Sequence, residues 1–124
     1  NIGLFCSTPM VAVSRKVTRK KMMKMLLTGE SINANYAKEI GLVNDYYPVN
    51  ELEEEVLKIA NKIASKSNLI VNIGKKAFYK QLEMPLNQAY KYTSEVMTKN
   101  AMKIDAKEGI SAFLEKRKPT WKNK

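Results

Sequence analysis

The stretch that decides how this chain folds is DAKEGISAFLEKRKPTW, residues 105–121. Asp105 and Glu108 stand three residues apart, the spacing of a capping box at the start of a helix. Positions i, i+3 and i+4 share one side of a helix, and here they are Ile110, Phe113 and Leu114. Residues 116–118 place positive charge at the negative end of the helix dipole. Pro119 then predicts that the helix ends just before it.

The chain before this stretch is also predicted to be helical. Helices are expected at residues 10–13, 19–28, 34–40, 68–82 and 86–102, with one more long helix that begins at Asn50. Thr18 and Asn33 have the residue types of N-caps. The long helix has the clearest start, because Asn50 and Glu53 repeat the capping-box spacing. Its apolar positions recur on one side at Leu52, Val56, Ile59 and Ile63.

Two features interrupt the helical pattern. Residues 42–47 are predicted to form a short strand ended by Pro48, and residues 1–7 have the pattern of the end of another strand. Gly74 lies within the expected buried stripe of the 68–82 helix, and it predicts the close approach of a neighbouring backbone. The other members of this stripe are Ile70, Ile73, Ala77 and Phe78. The predicted fold class is therefore mainly α, with at most one or two short strands.

The composition limits the partners. The 124 residues fit one domain and carry 22 Lys and Arg against 12 Asp and Glu, a formal charge of +10. That charge favours either an anionic partner or a lysine-rich solvated surface, and its spread along the chain argues against nucleic acid. No apolar run approaches the roughly 20 residues of a membrane span. The single Cys6 permits no internal disulfide and fits a reducing compartment.

The sequence predicts no catalytic residue and no metal ligand. Histidine is absent, which removes the usual partner of a Ser or Thr nucleophile and the commonest metal ligand. Four glutamates are candidate carboxylates by type only, and their charge-rich helical settings favour solvated faces; they are Glu39, Glu53, Glu54 and Glu55. Four clustered methionines favour adaptable packing over a ligand site; they are Met10, Met22, Met23 and Met25.

The end of the chain, EGISAFLEKRKPTW (residues 108–121), resembles the C-terminal signature of the crotonase superfamily, the enoyl-CoA hydratase/isomerase family. Further phrases follow the family's order: IGL at 2–4, MLLTGESI at 25–32, GLV at 41–43, IASKS at 63–67 and GKK at 74–76. The resemblance implies that residues 1–17 are the tail end of the family's core with a connecting helix. Residues 18–124 would be the C-terminal helical region that builds a trimer, and the spiral ββα core would be absent from this chain.

The resemblance also implies what this chain does. The family's oxyanion hole and acid/base carboxylates lie in the core, so this chain is expected to be inactive alone, as part of an enoyl-CoA hydratase or isomerase of fatty-acid metabolism. The opening phrase GLFCSTPM (residues 3–10) lacks the family's paired glycines and is similar to that of the enoyl-CoA hydratase domain-containing proteins. Whether the parent protein is a hydratase, an isomerase or inactive stays open. The start at Asn1 favours a cut or processed chain.

Two residues carry over from the family's ligand site. The resemblance implies that Phe113 packs near the adenine, and Lys116 near the phosphates, of CoA bound to a neighbouring subunit. The alternative is that Phe113 is a core residue and Lys116 a surface lysine. The implied partners are an acyl-CoA and further copies of the chain, with no cofactor beyond the CoA thioester substrate, in the mitochondrial matrix or the cytoplasm. Two other functions stay open: a purely structural helical assembly module, and a basic nucleic-acid-binding domain.

Overall fold

A computed structural model describes residues 3–124. Asn1 and Ile2 lie outside the described residues, and with them the start of the predicted 1–7 strand and of the IGL phrase. Within residues 3–124 the chain is helical and contains no strand, which confirms the mainly α prediction. The helices are α1 (Pro9–Val13), α2 (Arg19–Thr28), α3 (Ala34–Glu39), α4 (Val49–Ala64), α5 (Asn68–Gln81), α6 (Leu86–Ala101) and α7 (Ile104–Leu114).

The chain forms two compact units, Asn1–Val56 and Leu57–Lys124. Their charges differ sharply: the first unit holds seven basic and seven acidic residues, and the second holds 15 basic and five acidic residues. The whole formal charge of +10 therefore belongs to the second unit, although basic residues are spread along the sequence. Among the described helices, none combines the length and the apolar character that crossing a bilayer requires.

The first unit is organised around α2, which packs against α1. Its buried apolar residues are Val17, Met22 and Ala37. The predicted bounds of α2 are confirmed: Thr18 is the N-cap residue, although its side chain makes no capping hydrogen bond, and Gly29 ends the helix with φ 61°. The Asn33 cap of α3 is also confirmed, because its Oδ1 accepts a hydrogen bond from the Tyr36 N–H at 2.8 Å.

The predicted strand at residues 42–47 is wrong, because its first residues close α3 instead. Gly41 has φ 77°, and its N–H donates to the carbonyl of Lys38 at 3.0 Å. The N–H of Leu42 reaches the carbonyl of Ala37 at 2.9 Å. This pair of hydrogen bonds is a Schellman motif, in which a glycine adopts the left-handed conformation just after a helix. Asp45 then pairs with Lys38 at 2.7 Å.

The predicted capping box at Asn50 and Glu53 is also wrong, because α4 begins before it at Val49. The Pro48 carbonyl accepts hydrogen bonds from the N–H groups of Glu51 and Leu52, at 2.9 and 3.0 Å, so Asn50 already lies inside the helix. The predicted apolar face of α4 is present and about half exposed; Leu52, Val56, Ile59 and Ile63 are 46–55% exposed.

The second unit is built by contacts of α5 with α6 and of α6 with α7. Its buried apolar residues are all alanines: Ala77, Ala89 and Ala112. The predicted burial of Phe78 is wrong, because its side chain is 54% exposed. The expected close approach at Gly74 is also wrong, since a Cβ there would meet nothing within 4 Å. Small residues are thus the buried ones where these helices pack together, and many larger apolar side chains remain on the surface.

Candidate functional site

The predicted ligand-contact residues lie at the end of helix α7 and just after it, and the start of this helix differs from the prediction. The helix begins at Ile104, and the N-cap residue is Lys103, whose side chain makes no capping hydrogen bond. The predicted capping box at Asp105 and Glu108 is therefore wrong. Both carboxylates instead bind groups that are distant in the sequence, and these contacts hold the end of the chain in place.

Asp105 is the anchor of this arrangement, with only 1% of its surface exposed. Its carboxylate accepts hydrogen bonds from the N–H groups of Lys122 at 2.7 Å and Asn123 at 2.9 Å, and from the buried Ser67 hydroxyl. Burial raises the pKa of Asp105, but these three hydrogen bonds favour the charged form, so the pKa lies below its usual value. The carboxylate therefore serves as a structural anion that joins helix α7 to the end of the chain and to Ser67.

Residues 116–124, here called the C-terminal clasp, also cap helix α5. The Oδ1 of Asn123 accepts hydrogen bonds from the N–H groups of Asn68 at 2.9 Å and Leu69 at 3.4 Å. The Ser67 hydroxyl oxygen accepts a hydrogen bond from the Ile70 N–H at 3.3 Å. The first N–H groups of a helix have no partners within it. Asn123, more than 50 positions away in the sequence, supplies the partner of two of these groups, and the neighbouring Ser67 supplies the third.

Glu108 holds the middle of the clasp through Arg117. The guanidinium donates from Nη1 and Nη2 to both carboxylate oxygens of Glu108, at 2.6 and 3.0 Å, and the Thr120 N–H adds a third hydrogen bond at 2.8 Å. The hydrogen bonds from Arg117 are the main reason that the pKa of Glu108 falls to about 2, and the Thr120 N–H contributes next. A forked pair of this kind fixes geometry as well as charge.

These two carboxylates predict acid sensitivity of the second unit. Because the pKa of Glu108 falls from 4.5 to about 2 on folding, its stabilising effect is complete above pH 4.5 and is lost as the pH falls toward 2. Asp105 acts in the same direction. We expect the urea midpoint of the chain to fall between pH 5 and pH 2. In Glu108→Gln the fall should be shallower, and an equal slope in both proteins would contradict the assignment.

Trp121 closes the clasp over a glycine. A Cβ at Gly109 would lie 3.4 Å from the Trp121 Cη2 atom, an ordinary van der Waals distance, so the indole packs closely against α7 at this residue. The indole Nε1–H donates to the Ser65 carbonyl at 2.8 Å, just after the end of α4. The glycine and the tryptophan of the C-terminal stretch therefore form one packing contact.

Helix α7 ends earlier than predicted, at Leu114, so residues 116–118 follow the helix and do not lie in its last turn. Lys116 has φ 55°, its N–H donates to the Phe113 carbonyl at 3.2 Å, and the Arg117 N–H donates to the Ala112 carbonyl at 3.0 Å. This is the same Schellman motif that ends α3, with a lysine at the position that Gly41 occupies there. A left-handed lysine is strained, and such strain is concentrated at functional positions.

The predicted contact residues both lie on the surface at this helix end. Phe113 is 82% exposed, and it shares an exposed apolar face with Ile110 and Leu114, at 60% and 73%. Phe113 is therefore not a core residue of the described chain. Lys116 is exposed beside it, and among residues 3–124 its ammonium makes no hydrogen bond or ion pair.

The remaining candidate groups assemble no second site. No group of three His, Cys, Asp or Glu side chains within the described residues is arranged to hold a metal ion. An open cleft of about 310 Å³ lies in the first unit, between α2 and the start of α3, and Lys24, Thr28, Asn33 and Tyr36 are among its lining residues. Glu30 also lines it, but among the described residues no hydrogen bond or ion pair joins Glu30 to Lys24. The C-terminal clasp was not predicted from the sequence. The one feature of the sequence that could have indicated it is the spacing of the residues in the C-terminal signature.

Comparison with known proteins explains why this signature is recognisable. The sequence profile described as enoyl-CoA hydratase/isomerase matches residues 1–124. The chain belongs to the enoyl-CoA hydratase/isomerase family. It is 52% identical over 121 residues to human "Enoyl-CoA hydratase domain-containing protein 3, mitochondrial", which covers 98% of this chain and 40% of that protein.

Solved structures of family members agree with the helical arrangement. The crystal structure of human enoyl-CoA hydratase domain-containing protein 3 matches with a TM-score of 0.93, covering 98% of this chain and 48% of that one. An enoyl-CoA hydratase from Mycobacterium smegmatis matches with a TM-score of 0.94 at 46% identity, covering 98% of this chain and 47% of that one. The chain therefore spans less than half the length of these relatives. The resemblance to the enoyl-CoA hydratase/isomerase family that the sequence showed is therefore confirmed.

Proposed function

We propose that this chain supplies the C-terminal helical region of an enoyl-CoA hydratase/isomerase-like protein and contributes Phe113 and Lys116 to a CoA thioester site on a neighbouring subunit. The observation that carries the proposal is the end of α7. There Lys116, which has a left-handed backbone and an ammonium unpaired among the described residues, comes three residues after Phe113, which is 82% exposed. Phosphate oxygens suit the ammonium, and a purine suits the ring.

The charge of the second unit supports the same ligand class. Its 15 basic and five acidic residues create a positive field that raises the local concentration of an anion such as CoA. Three of those five acids are Asp105, Glu108 and Glu115, which bind the clasp and its arginine. These three acids are thus engaged within the protein, and the unit as a whole keeps its formal charge of +10.

The whole protein's reaction is proposed on the same basis. Family members act on acyl-CoA, so the substrate class is a CoA thioester, with hydration or isomerisation as the reaction. We propose that these 124 residues alone do not catalyse it, because the carboxylates built into the clasp are committed to structure. The human relative's name carries the word mitochondrial, and we propose the mitochondrial matrix as the location, in line with the single exposed Cys6.

Replacing Lys116 by glycine tests the CoA contact and the strain together. The left-handed conformation costs a residue with a Cβ about 1–2 kcal/mol, and the flexibility of unfolded glycine returns about 0.5–1 kcal/mol of that. We expect Lys116→Gly to raise the free energy of unfolding of the chain by about 0.5–1 kcal/mol, measured by urea titration. We also expect it to weaken acetyl-CoA binding by on the order of threefold to tenfold.

Binding is measured by calorimetry in a chimera in which this chain replaces the matching part of the human relative. Lys118→Gly is the matched control, because it removes a neighbouring charge at a residue with ordinary backbone angles. It should give no gain in stability and a smaller loss of affinity. Unchanged acetyl-CoA affinity in Lys116→Gly would reject the CoA contact and favour the purely structural module.

Self-association is the second part of the proposed function. The apolar face of α4 is about half exposed, and a face of this kind favours burial against another chain. We expect the chain to sediment as a dimer or a larger species. Val56→Lys with Ile59→Lys should shift it toward monomer, whereas the same change at Asn61, which lies off that face, should not. A monomer over the whole concentration range would contradict self-association.

A nucleic-acid-binding domain is the less favoured alternative. It would show nucleic-acid affinity that falls steeply with salt. The family assignment gives no support to that function, and the proposed anionic CoA ligand would account for the same positive charge.

A further inference from the structure

The charges around Lys116 are paired unevenly. Arg117 donates from Nε to Glu115 Oε2 at 2.5 Å, and from Nη1 and Nη2 to the two oxygens of Glu108 at 2.6 and 3.0 Å. One guanidinium therefore holds the carboxylate that precedes Lys116 and the carboxylate that faces the clasp. Within the described part of the chain, the ammonium between these groups has no ionic partner.

This pattern needs a cause, because a lysine next to a glutamate has an acceptor within reach. The Glu115 side chain is 58% exposed and accessible to a flexible ammonium, whereas Glu108 is 21% exposed. Arg117 binds Glu108 through two forked hydrogen bonds and Glu115 through one from Nε, and a lysine has no planar fork with which to hold both carboxylates in this way.

We propose that Arg117 is a positioning residue that acts through Lys116: it occupies Glu108 and Glu115 and thereby keeps the Lys116 ammonium available to phosphate oxygens. The inference rests on the proposed function of Lys116 as a phosphate contact. It assigns separate roles to the two adjacent cations. One neutralises the protein's own acids, and the other faces the ligand.

The test uses the reactivity of lysine in the 124-residue chain and needs no CoA. Limiting acetic anhydride modifies amines in their uncharged form, and a nearby carboxylate favours the charged form. Mass spectrometry gives the rate at Lys116 relative to Lys118, which serves as the internal control. In Arg117→Gln we expect this ratio to fall about threefold, because the released carboxylates pair with Lys116.

The decisive comparison also removes Glu115, which is the more exposed of the two released acids and the one next to Lys116. Glu115→Gln alone should leave the ratio unchanged, because Arg117 already holds that carboxylate. In the double variant that combines Glu115→Gln with Arg117→Gln, the ratio of the Lys116 rate to the Lys118 rate should recover most of its original value. A purely structural arginine would give no such rescue. If the ratio does not fall in Arg117→Gln, or if the double variant stays low, the proposal is overturned.

Two further measurements keep the outcomes distinct. Fluorescence of Trp121, the single tryptophan, reports whether the clasp stays closed. If the clasp opens in Arg117→Gln, the variant Arg117→Lys is used instead, because it keeps a cation at Glu108. In this variant the ratio of the Lys116 rate to the Lys118 rate should fall to an intermediate value. An unchanged ratio would overturn the proposal. The acetylation ratios could agree with expectation while Lys116→Gly leaves the acetyl-CoA affinity unchanged. That combination would reject the proposed CoA contact but keep the pairing role of Arg117.

Discussion

Asp105→Ala should lower the melting temperature of this chain by at least about 10 °C. The change removes the acceptor of the Ser67 hydroxyl and of two clasp N–H groups, in a place where Asp105 is only 1% exposed. A buried donor that loses its acceptor costs about 1–3 kcal/mol. In a unit of this size each kcal/mol corresponds to about 4–8 °C.

Asp45→Ala is the matched control for that experiment. Asp45 is also hydrogen-bonded, to Lys38 at 2.7 Å, but its side chain is 40% exposed and water can replace the partner. Surface pairs of this kind contribute little to stability, so the melting temperature should barely change. Equal shifts in the two variants, measured by circular dichroism, would show that Asp105 does not anchor the clasp.

Trp121→Ala should lower the free energy of unfolding by about 2–3 kcal/mol, somewhat less than a fully buried tryptophan because the ring is partly exposed. The variant loses the packing of the indole on Gly109 and the hydrogen bond to the Ser65 carbonyl. The clasp also caps α5 through Asn123. We therefore expect faster hydrogen exchange at the amides of Asn68 and Leu69.

Trp121→Phe separates the two contributions. It keeps an aromatic ring over Gly109 and loses only the Nε1–H donor, so the expected cost is about 1 kcal/mol. Urea unfolding followed by circular dichroism suits both variants, because the fluorophore is absent from each. If Phe costs as much as Ala, then the hydrogen bond, and not the packing, holds the clasp. If neither variant alters exchange at Asn68, the capping of α5 does not depend on the indole.

The sequence predicted the helices well where local signals decide them. The bounds of α2 and the Asn33 cap depend on neighbouring residues and are confirmed. The expected capping boxes at Asn50 and Asp105 failed for different reasons. Helix α4 simply begins one residue earlier, at Val49, whereas Asp105 meets donors that are 17 to 38 positions away. Spacing along the chain cannot reveal such partners.

The site was only partly predictable for the same reason. Phe113 and Lys116 were identified from the family resemblance, and no periodicity distinguished them. The left-handed geometry of Lys116 was not foreseen, because lysine is not a residue type that predicts a positive φ. The roles of Gly109 and Trp121 were hidden although both are in the signature, since their contact forms only when the chain folds back on α7.

The alanine core of the second unit has a thermodynamic consequence. The heat-capacity change of unfolding grows with the apolar area that unfolding exposes, and the buried apolar residues described in this unit are only Ala77, Ala89 and Ala112. The free energy of unfolding of this unit should therefore vary little with temperature, and its thermal transition should be broad. The hydrogen bonds of the clasp should supply much of its enthalpy of unfolding. If the chains associate as proposed, the larger heat-capacity change should accompany association, when the exposed faces of α4 and α7 leave water, and the smaller change should accompany the folding of a single chain.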